Sequence, residues 1–209
     1  MRQAFMLLGI MTLVVTVGAF IAFERAEAPT VENNEVGAPN SVLTNSDNQP
    51  PMTAFKLTSP VFENGGLIPS LYTCDGENTS PELHIEGVPE GTVSLILVMD
   101  DPDIPDSVKQ ARGIEKFDHW ALYNIPPDTA IIPATNMVVG NGGKNSKGET
   151  NYTGPCPPDR EHRYFFQLYA VSGTLNFIKT PAFDEIETAA QGMTLASTTL
   201  VGRYKRMAQ

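Results

Sequence analysis

A few acidic, histidine and tyrosine residues of the chain have the chemistry to bind a small anion. Asp101 and Asp103 lie in an Asp-Pro-Asp-Ile-Pro sequence, whose two prolines restrict the backbone around both carboxylates. His119, His162 and Tyr164 carry ring N–H or O–H groups that can donate hydrogen bonds to a phosphate or carboxylate. The aspartates can accept a hydrogen bond from a histidine and so determine its tautomer. These residue types therefore predict an oxyanion site.

The loop that contains Gly154 and Pro155 adds backbone N–H groups to the candidate donors. Each motif by itself also has a simpler interpretation. An Asp-Pro sequence most often ends a strand in a turn, and a single histidine in a strand is more often a core or surface residue than a ligand. Because sequence spacing does not show that the motifs meet, the site is a hypothesis about the tertiary structure.

The two cysteines, Cys74 and Cys156, lie in loops rich in glycine and proline. In an oxidising compartment we expect a disulfide bond between these loops, which would stabilise the fold by about 3 to 4 kcal/mol. Two free thiols are the alternative. His162, which follows Cys156 in the same loop, also allows a Cys-His nucleophile, but the local signatures of cysteine enzymes are absent from the sequence.

The same histidines and aspartates are also potential metal ligands or partners in acid–base hydrolysis. The sequence lacks the H-E-x-x-H, G-x-S-x-G and P-loop patterns that mark several large classes of hydrolase and nucleotidase. We therefore expect a binding protein rather than an enzyme, with no cofactor and no bound metal.

Apolar segments beside these motifs predict the strands that position them. Residues 93–99 form a nearly continuous apolar run, which is typical of a strand covered on both faces. Residues 119–125 and 164–171 are rich in aromatic residues and leucine at strand length, and we expect these three strands to form the centre of a sheet. Further strands are predicted at residues 55–58 and 195–204, with a bulge at Gly202 in the second.

One helix is predicted near the C-terminus, with Asp184 as its N-cap, Glu187 as the partner of a capping box and Gly192 as its stop. The other residues are predicted as loops. Three of these loops are long, and such loops commonly carry functional residues on a rigid scaffold. They comprise residues 74–81, 100–118 and 139–161.

The N-terminal part of the chain predicts export. Residues 5–23 are uncharged and mostly apolar, and as a helix they would span about 28 Å. Residues 1–25 are either a retained membrane anchor, which the length favours, or a signal peptide cleaved near Ala26-Glu27-Ala28. Residues 26–53 have the composition of a disordered linker, and residues 54–209 that of a folded domain.

Four segments, in their order along the chain, resemble the bacterial and archaeal branch of the phosphatidylethanolamine-binding proteins, also called Raf kinase inhibitor-like proteins. They are residues 75–81 (DGENTSP), 94–105 (SLILVMDDPDIP), 119–126 (HWALYNIP) and 154–164 (GPCPPDREHRY). The combined order is specific, although each fragment alone is not. His84 departs from the pattern, because such relatives usually carry a tryptophan there, and we expect it to have a surface or packing role.

The resemblance covers residues 55–206 and implies a mainly β fold with few helices. A large central, antiparallel-rich sheet is expected to pack on a smaller sheet, with an anion pocket at one end. The resemblance also assigns ligand-binding roles, which fall on Asp101, Asp103, His119, Gly154, Pro155, His162 and Tyr164.

Three functions follow from these observations. The first is a non-enzymatic module that binds a phosphorylated small molecule or a phospholipid headgroup. The second, implied by the resemblance, is an extracytoplasmic inhibitor of a peptidase, because an exported domain has no access to cytosolic kinases. The third is a hydrolase that uses the Asp and His residues.

The formal net charge of -10 argues against nucleic acid as a partner. The only membrane contact expected is through the N-terminal segment, and the oligomeric state is left open.

Overall fold

The computed structural model of the protein describes residues 54–206. The predicted anchor or signal peptide of residues 1–25 and the predicted linker of residues 26–53 lie outside this range. Among residues 54–206, no helix combines the length and apolar character needed to cross a bilayer.

The described residues form nine strands and two α-helices. In chain order these are β1 (Lys56–Thr58), β2 (Gly66–Leu67), β3 (Leu83–Glu86), β4 (Ser94–Asp101), α1 (Asp106–Arg112), β5 (Phe117–Ile125), β6 (Ile131–Ile132), β7 (Asn141–Gly142), β8 (His162–Val171), α2 (Phe183–Ala190) and β9 (Thr194–Tyr204).

Six strands form the large sheet, in the order β2-β9-β8-β4-β5-β7. β2 and β9 are parallel, and every other neighbouring pair in this sheet is antiparallel. The three strands predicted as the centre of a sheet are adjacent in it. The predicted mainly β fold, with a large antiparallel-rich sheet, is confirmed.

β4 is buried along its whole length, as its apolar run predicted. Alternate side chains of a strand point to opposite faces of the sheet, so β4 serves two cores. Leu95 and Leu97 belong to the larger core, and Ile96 and Val98 belong to the smaller core together with residues of α2.

The second sheet has three strands in the order β1-β3-β6. Leu57, Leu83 and Ile132, one from each strand, belong to the same buried cluster as Leu97 of the large sheet. The small sheet therefore packs on the large one, as expected. His84 lies in β3, half-buried, and contacts Glu82 at 2.7 Å.

The helix predictions need two corrections. α1 was missed, because its residues carry only one large apolar side chain, Val108, and so show no helical periodicity. α2 begins after Ala182 rather than Asp184, and its capping glutamate is Glu185, which accepts a hydrogen bond from the Ala182 N–H at 2.7 Å. Ala182 has no side chain that can cap a helix. The predicted N-cap, Asp184, therefore lies two residues beyond the observed one.

Gly202 does not form the predicted bulge. It pairs in register with Tyr164, and the irregularity between β8 and β9 lies between Ala170 and Val171. A Cβ atom at Gly202 would lie 2.5 Å from Cγ1 of the buried Ile68. The glycine therefore allows a close approach between chain segments rather than an extra residue in the strand.

The register brings the predicted motifs to one end of the large sheet. The C-terminal end of β4 meets the N-terminal end of β5, where Asp101 pairs with Phe117. On its other side, β4 meets the N-terminal end of β8, where Asp100 pairs with Phe165. Three strand ends therefore lie side by side and carry Asp101, His119 and His162.

Candidate functional site

A cavity of about 480 Å³ lies at this end of the large sheet. Its volume is in the range of small-molecule binding sites. Polar groups line one part of it, namely those of Asn78, Asp101, Arg112, His119, Lys147, Thr153 and His162. An apolar wall lines another part and comprises Ile104, Pro105, Val108, Phe117, Pro157 and Pro158.

Asp101 and His162 form a buried pair at the base of the cavity. The His162 Nδ1 atom lies 2.7 Å from the Asp101 Oδ2 atom, and both side chains are almost fully buried. The Asp103 backbone N–H donates to the other carboxylate oxygen of Asp101 at 2.8 Å. Burial raises the pKa of Asp101, and the hydrogen bond from His162 opposes that effect. Asp101 therefore fixes the orientation of the His162 ring.

The second nitrogen of His162 contacts another carboxylate. Its Nε2 atom lies 2.8 Å from Oδ1 of Asp159, a residue that is 42% exposed. A neutral imidazole has a single N–H, so both nitrogens can donate to ionised carboxylates only in the imidazolium form. The hydrogen bond from His162 also lowers the pKa of Asp159. Asp159 thus occupies the position on Nε2 that an external oxyanion would take.

His119 is held in a different way. Its Nδ1 atom lies 2.6 Å from the carbonyl oxygen of Thr153, which can only accept, so Nδ1 carries a proton. Burial lowers the pKa of His119 to about 4, and the ring is neutral at neutral pH. The Nε2 atom therefore holds a lone pair, which differs from the expected role of this histidine as a donor to an anion.

Two other predicted ligand residues, Asp103 and Tyr164, lie around the cavity rather than along its lining. Asp103 forms a two-bond ion pair with Arg163, at 2.7 Å for each bond, which lowers the pKa of Asp103 to about 2. Tyr164 is fully buried, and its ring packs edge-on against His119 at 5.3 Å between centroids. Within residues 54–206 its hydroxyl has no hydrogen-bond partner.

The Gly154-Pro155 segment closes one side of the cavity. The Gly154 N–H already donates to Asn78 Oδ1 at 2.7 Å, so it is not a donor for a ligand. A Cβ atom at Gly154 would lie 2.6 Å from the Tyr72 carbonyl oxygen, and this close approach explains the glycine. The Pro155 carbonyl accepts from the Cys74 N–H at 3.1 Å.

A disulfide bond joins Cys74 to Cys156, as expected, and both residues line the cavity. Neither cysteine is therefore a free thiol, and the alternative of a cysteine nucleophile is wrong. The described residues also contain no cluster of three or more His, Cys, Asp or Glu side chains able to hold a metal ion.

Two cationic residues of the cavity were missed by the sequence analysis. Arg112, the last residue of α1, donates to the Ser146 carbonyl at 2.6 Å and lies over the Phe117 ring at 5.4 Å from its centre. Lys147 follows in the same loop as Ser146. The sequence did contain a signal for α1, because Pro105 precedes the helix and Gly113 follows it. Gly113 adopts a φ of +64° and ends the helix directly after Arg112.

The sequence of residues 58–205 matches the family model described as phosphatidylethanolamine-binding protein. The chain belongs to this family. It is 40% identical over 156 residues to a UPF0098 protein of Methanothermobacter thermautotrophicus, which covers 72% of this chain and 98% of the relative.

Solved structures of the phosphatidylethanolamine-binding protein family share the fold. A putative family homologue from Chlamydia trachomatis, CT736, superposes with a TM-score of 0.70 at 34% identity, over 74% of this chain and 99% of that one. YbcL of E. coli superposes with a TM-score of 0.65 at 25% identity, over 74% of this chain and 100% of that one. The cavity therefore lies in a fold that the family shares.

Proposed function

We propose that the protein is a non-enzymatic binding protein whose cavity takes a small organic anion, such as a phosphorylated small molecule or a phospholipid headgroup. The observation that carries the proposal is the position of His162, Arg112 and Lys147 around one cavity with an apolar wall. Cationic donors bind oxyanions with charge-assisted hydrogen bonds, and the wall offers contact to an organic substituent.

The arrangement favours binding over hydrolysis. An activated nucleophile needs a hydroxyl, thiol or amine beside a general base. His162 instead contacts a carboxylate on each side, and the two cysteines are bonded to each other. The family name, phosphatidylethanolamine-binding protein, supports a phosphorylated ligand.

The disulfide bond supports an extracytoplasmic location, because such bonds persist mainly in oxidising compartments. With this location we propose the domain arrangement expected from the sequence, namely an anchor or signal peptide, a linker and a binding domain from residue 54. Sequencing the N-terminus of the mature protein would distinguish a retained anchor from a cleaved signal peptide.

Calorimetric titration of the 209-residue chain with phosphoethanolamine and with inorganic phosphate tests the proposed function. We expect saturable binding that is lost in His162→Ala and retained in His84→Ala. The second variant is a matched control, because His84 lies in the small sheet and does not line the cavity. Wild-type protein that is folded but binds neither compound would contradict the proposal and favour a protein partner, such as a peptidase.

A further inference from the structure

His119 presents a hydrogen-bond acceptor to the cavity. Its Nδ1–H is used by the Thr153 carbonyl at 2.6 Å, and the ring is only 4% exposed. Among residues 54–206, no group forms a hydrogen bond with its Nε2 atom. This atom is also not completely buried. The ring lines the cavity, so the lone pair of Nε2 faces the space that a ligand would fill.

The groups around His119 do not supply a donor to this lone pair. Asp101 from β4 is an acceptor that is already bonded to His162. Tyr164 from β8 meets the ring edge-on, and its hydroxyl makes no hydrogen bond within residues 54–206. Arg112, Lys147 and His162 share the cavity with His119. Burial lowers the pKa of His119, and the neighbouring Lys147 and His162 add to that effect. These surroundings therefore stabilise the neutral ring of His119, which has a proton on Nδ1 and none on Nε2.

A fully ionised anion fits such a site poorly. Its oxygens would meet the cationic donors but would also face the lone pair of Nε2, with no proton between them. A buried acceptor that loses its solvent without gaining a donor costs binding free energy. An anion that brings its own O–H avoids that cost.

We propose that the ligand of this cavity is an oxyanion that carries its own O–H donor, as the monoanion of a phosphomonoester or phosphonate does, and that His119 Nε2 accepts that hydrogen bond. The inference rests on the proposed function and narrows it. It separates a phosphomonoester, which retains a P–O–H group, from a phosphodiester, which has none. His119 is then the residue that determines specificity. His162, Arg112 and Lys147 bind the negatively charged oxygens of the ligand.

Two ligands of the same shape and charge test the inference. Phenylphosphonate at a pH of about 5 is a monoanion with one O–H group, because the second pKa of such groups lies near 6. Benzenesulfonate carries the same single charge and no O–H group. At this pH His119 is neutral, since its pKa is about 4. We expect phenylphosphonate to bind about tenfold more tightly in a calorimetric titration of the 209-residue chain.

His119→Asn is the variant that isolates the acceptor. The asparagine amide can donate to the Thr153 carbonyl in place of Nδ1, but it has no group in the position of Nε2. We expect the variant to lose the preference for phenylphosphonate, and its affinity for benzenesulfonate should not fall, because the acceptor that lacked a donor has been removed. His84→Asn, made outside the cavity, should keep the preference. Equal affinities of the wild-type protein for both ligands would overturn the inference and leave the anion pocket intact.

Failure of the proposed function has a different outcome, because neither ligand would then bind.

A measurement on the ligand-free wild-type protein does not depend on the folding of any variant. NMR of the imidazole nitrogens of His119 should show a protonated Nδ1 and an unprotonated Nε2. A protonated Nε2 in the free protein at a pH near 7 would overturn the inference.

Discussion

At the residue scale, the site is defined by which side-chain atoms already form hydrogen bonds within the protein. His162 donates to Asp101 and to Asp159, and His119 donates to Thr153. The same residue type therefore has both ring nitrogens in contact with carboxylates at one position and leaves one nitrogen as an acceptor at the other. Environment rather than residue type decides the protonation of a histidine.

Asp159 occupies the position on His162 that the proposed anion would use. Its carboxylate lies 2.8 Å from Nε2, and it is held there by Arg160, whose guanidinium donates to the second oxygen at 2.8 Å. A ligand that binds His162 would have to displace this contact, and its apparent affinity would be reduced by the fraction of molecules in which the contact is closed. We expect Asp159→Asn to bind inorganic phosphate about fivefold more tightly, as measured by calorimetry.

Asp128→Asn is the matched control for that variant. It removes the same charge from an exposed residue that does not line the cavity. Its affinity should equal that of the wild type. If Asp159→Asn also bound phosphate with wild-type affinity, Asp159 would not compete with the ligand.

At the scale of elements, the short helix α1 provides much of the cavity wall. Val108 contributes to the apolar wall, and Arg112 adds a cation at the end of the helix. The sequence predicted a loop here because neither residue belongs to a periodic apolar face. The strands were easier to predict, since the buried run of β4 and the aromatic residues of β5 and β8 have the composition that strands favour.

Arg112 offers a test of the contribution of α1. We expect Arg112→Met to weaken phosphate binding by about fivefold, because it removes a charge-assisted donor and keeps most of the side-chain length. Lys109→Met changes the same charge on the same helix, outside the cavity lining, and should bind like the wild type. Calorimetry at two salt concentrations checks both. Equal weakening in the two variants would indicate a long-range charge effect rather than a contact.

At the scale of the whole molecule, the disulfide bond connects the two loops that close the cavity. Cys74 and Cys156 are separated by 82 residues, so the bond restricts a large part of the unfolded chain. It also fixes the loop of Gly154 beside Asn78, a contact that closes one wall of the site. The same bond therefore supports both the fold and one wall of the cavity.

We expect Cys74→Ser and Cys156→Ser each to lower the free energy of unfolding by about 4 kcal/mol. The double variant should lose no more than either single variant, because each change removes the same bond. Urea denaturation measures the loss. Thiol titration of the unfolded, unreduced wild-type protein should find no reactive thiol, and two reactive thiols would contradict the bond.

The sequence by itself determined the mainly β class, the three central strands, the cysteine pair and the residue types of the site. These features depend on composition and on local periodicity, which are properties of neighbouring residues. The tertiary structure decided which atoms remain available to a ligand. His119 and Thr153, Asp101 and His162, and Asn78 and Gly154 are separated by 34, 61 and 76 residues. Hydrogen bonds between such distant segments follow from strand order and register, which no local pattern encodes.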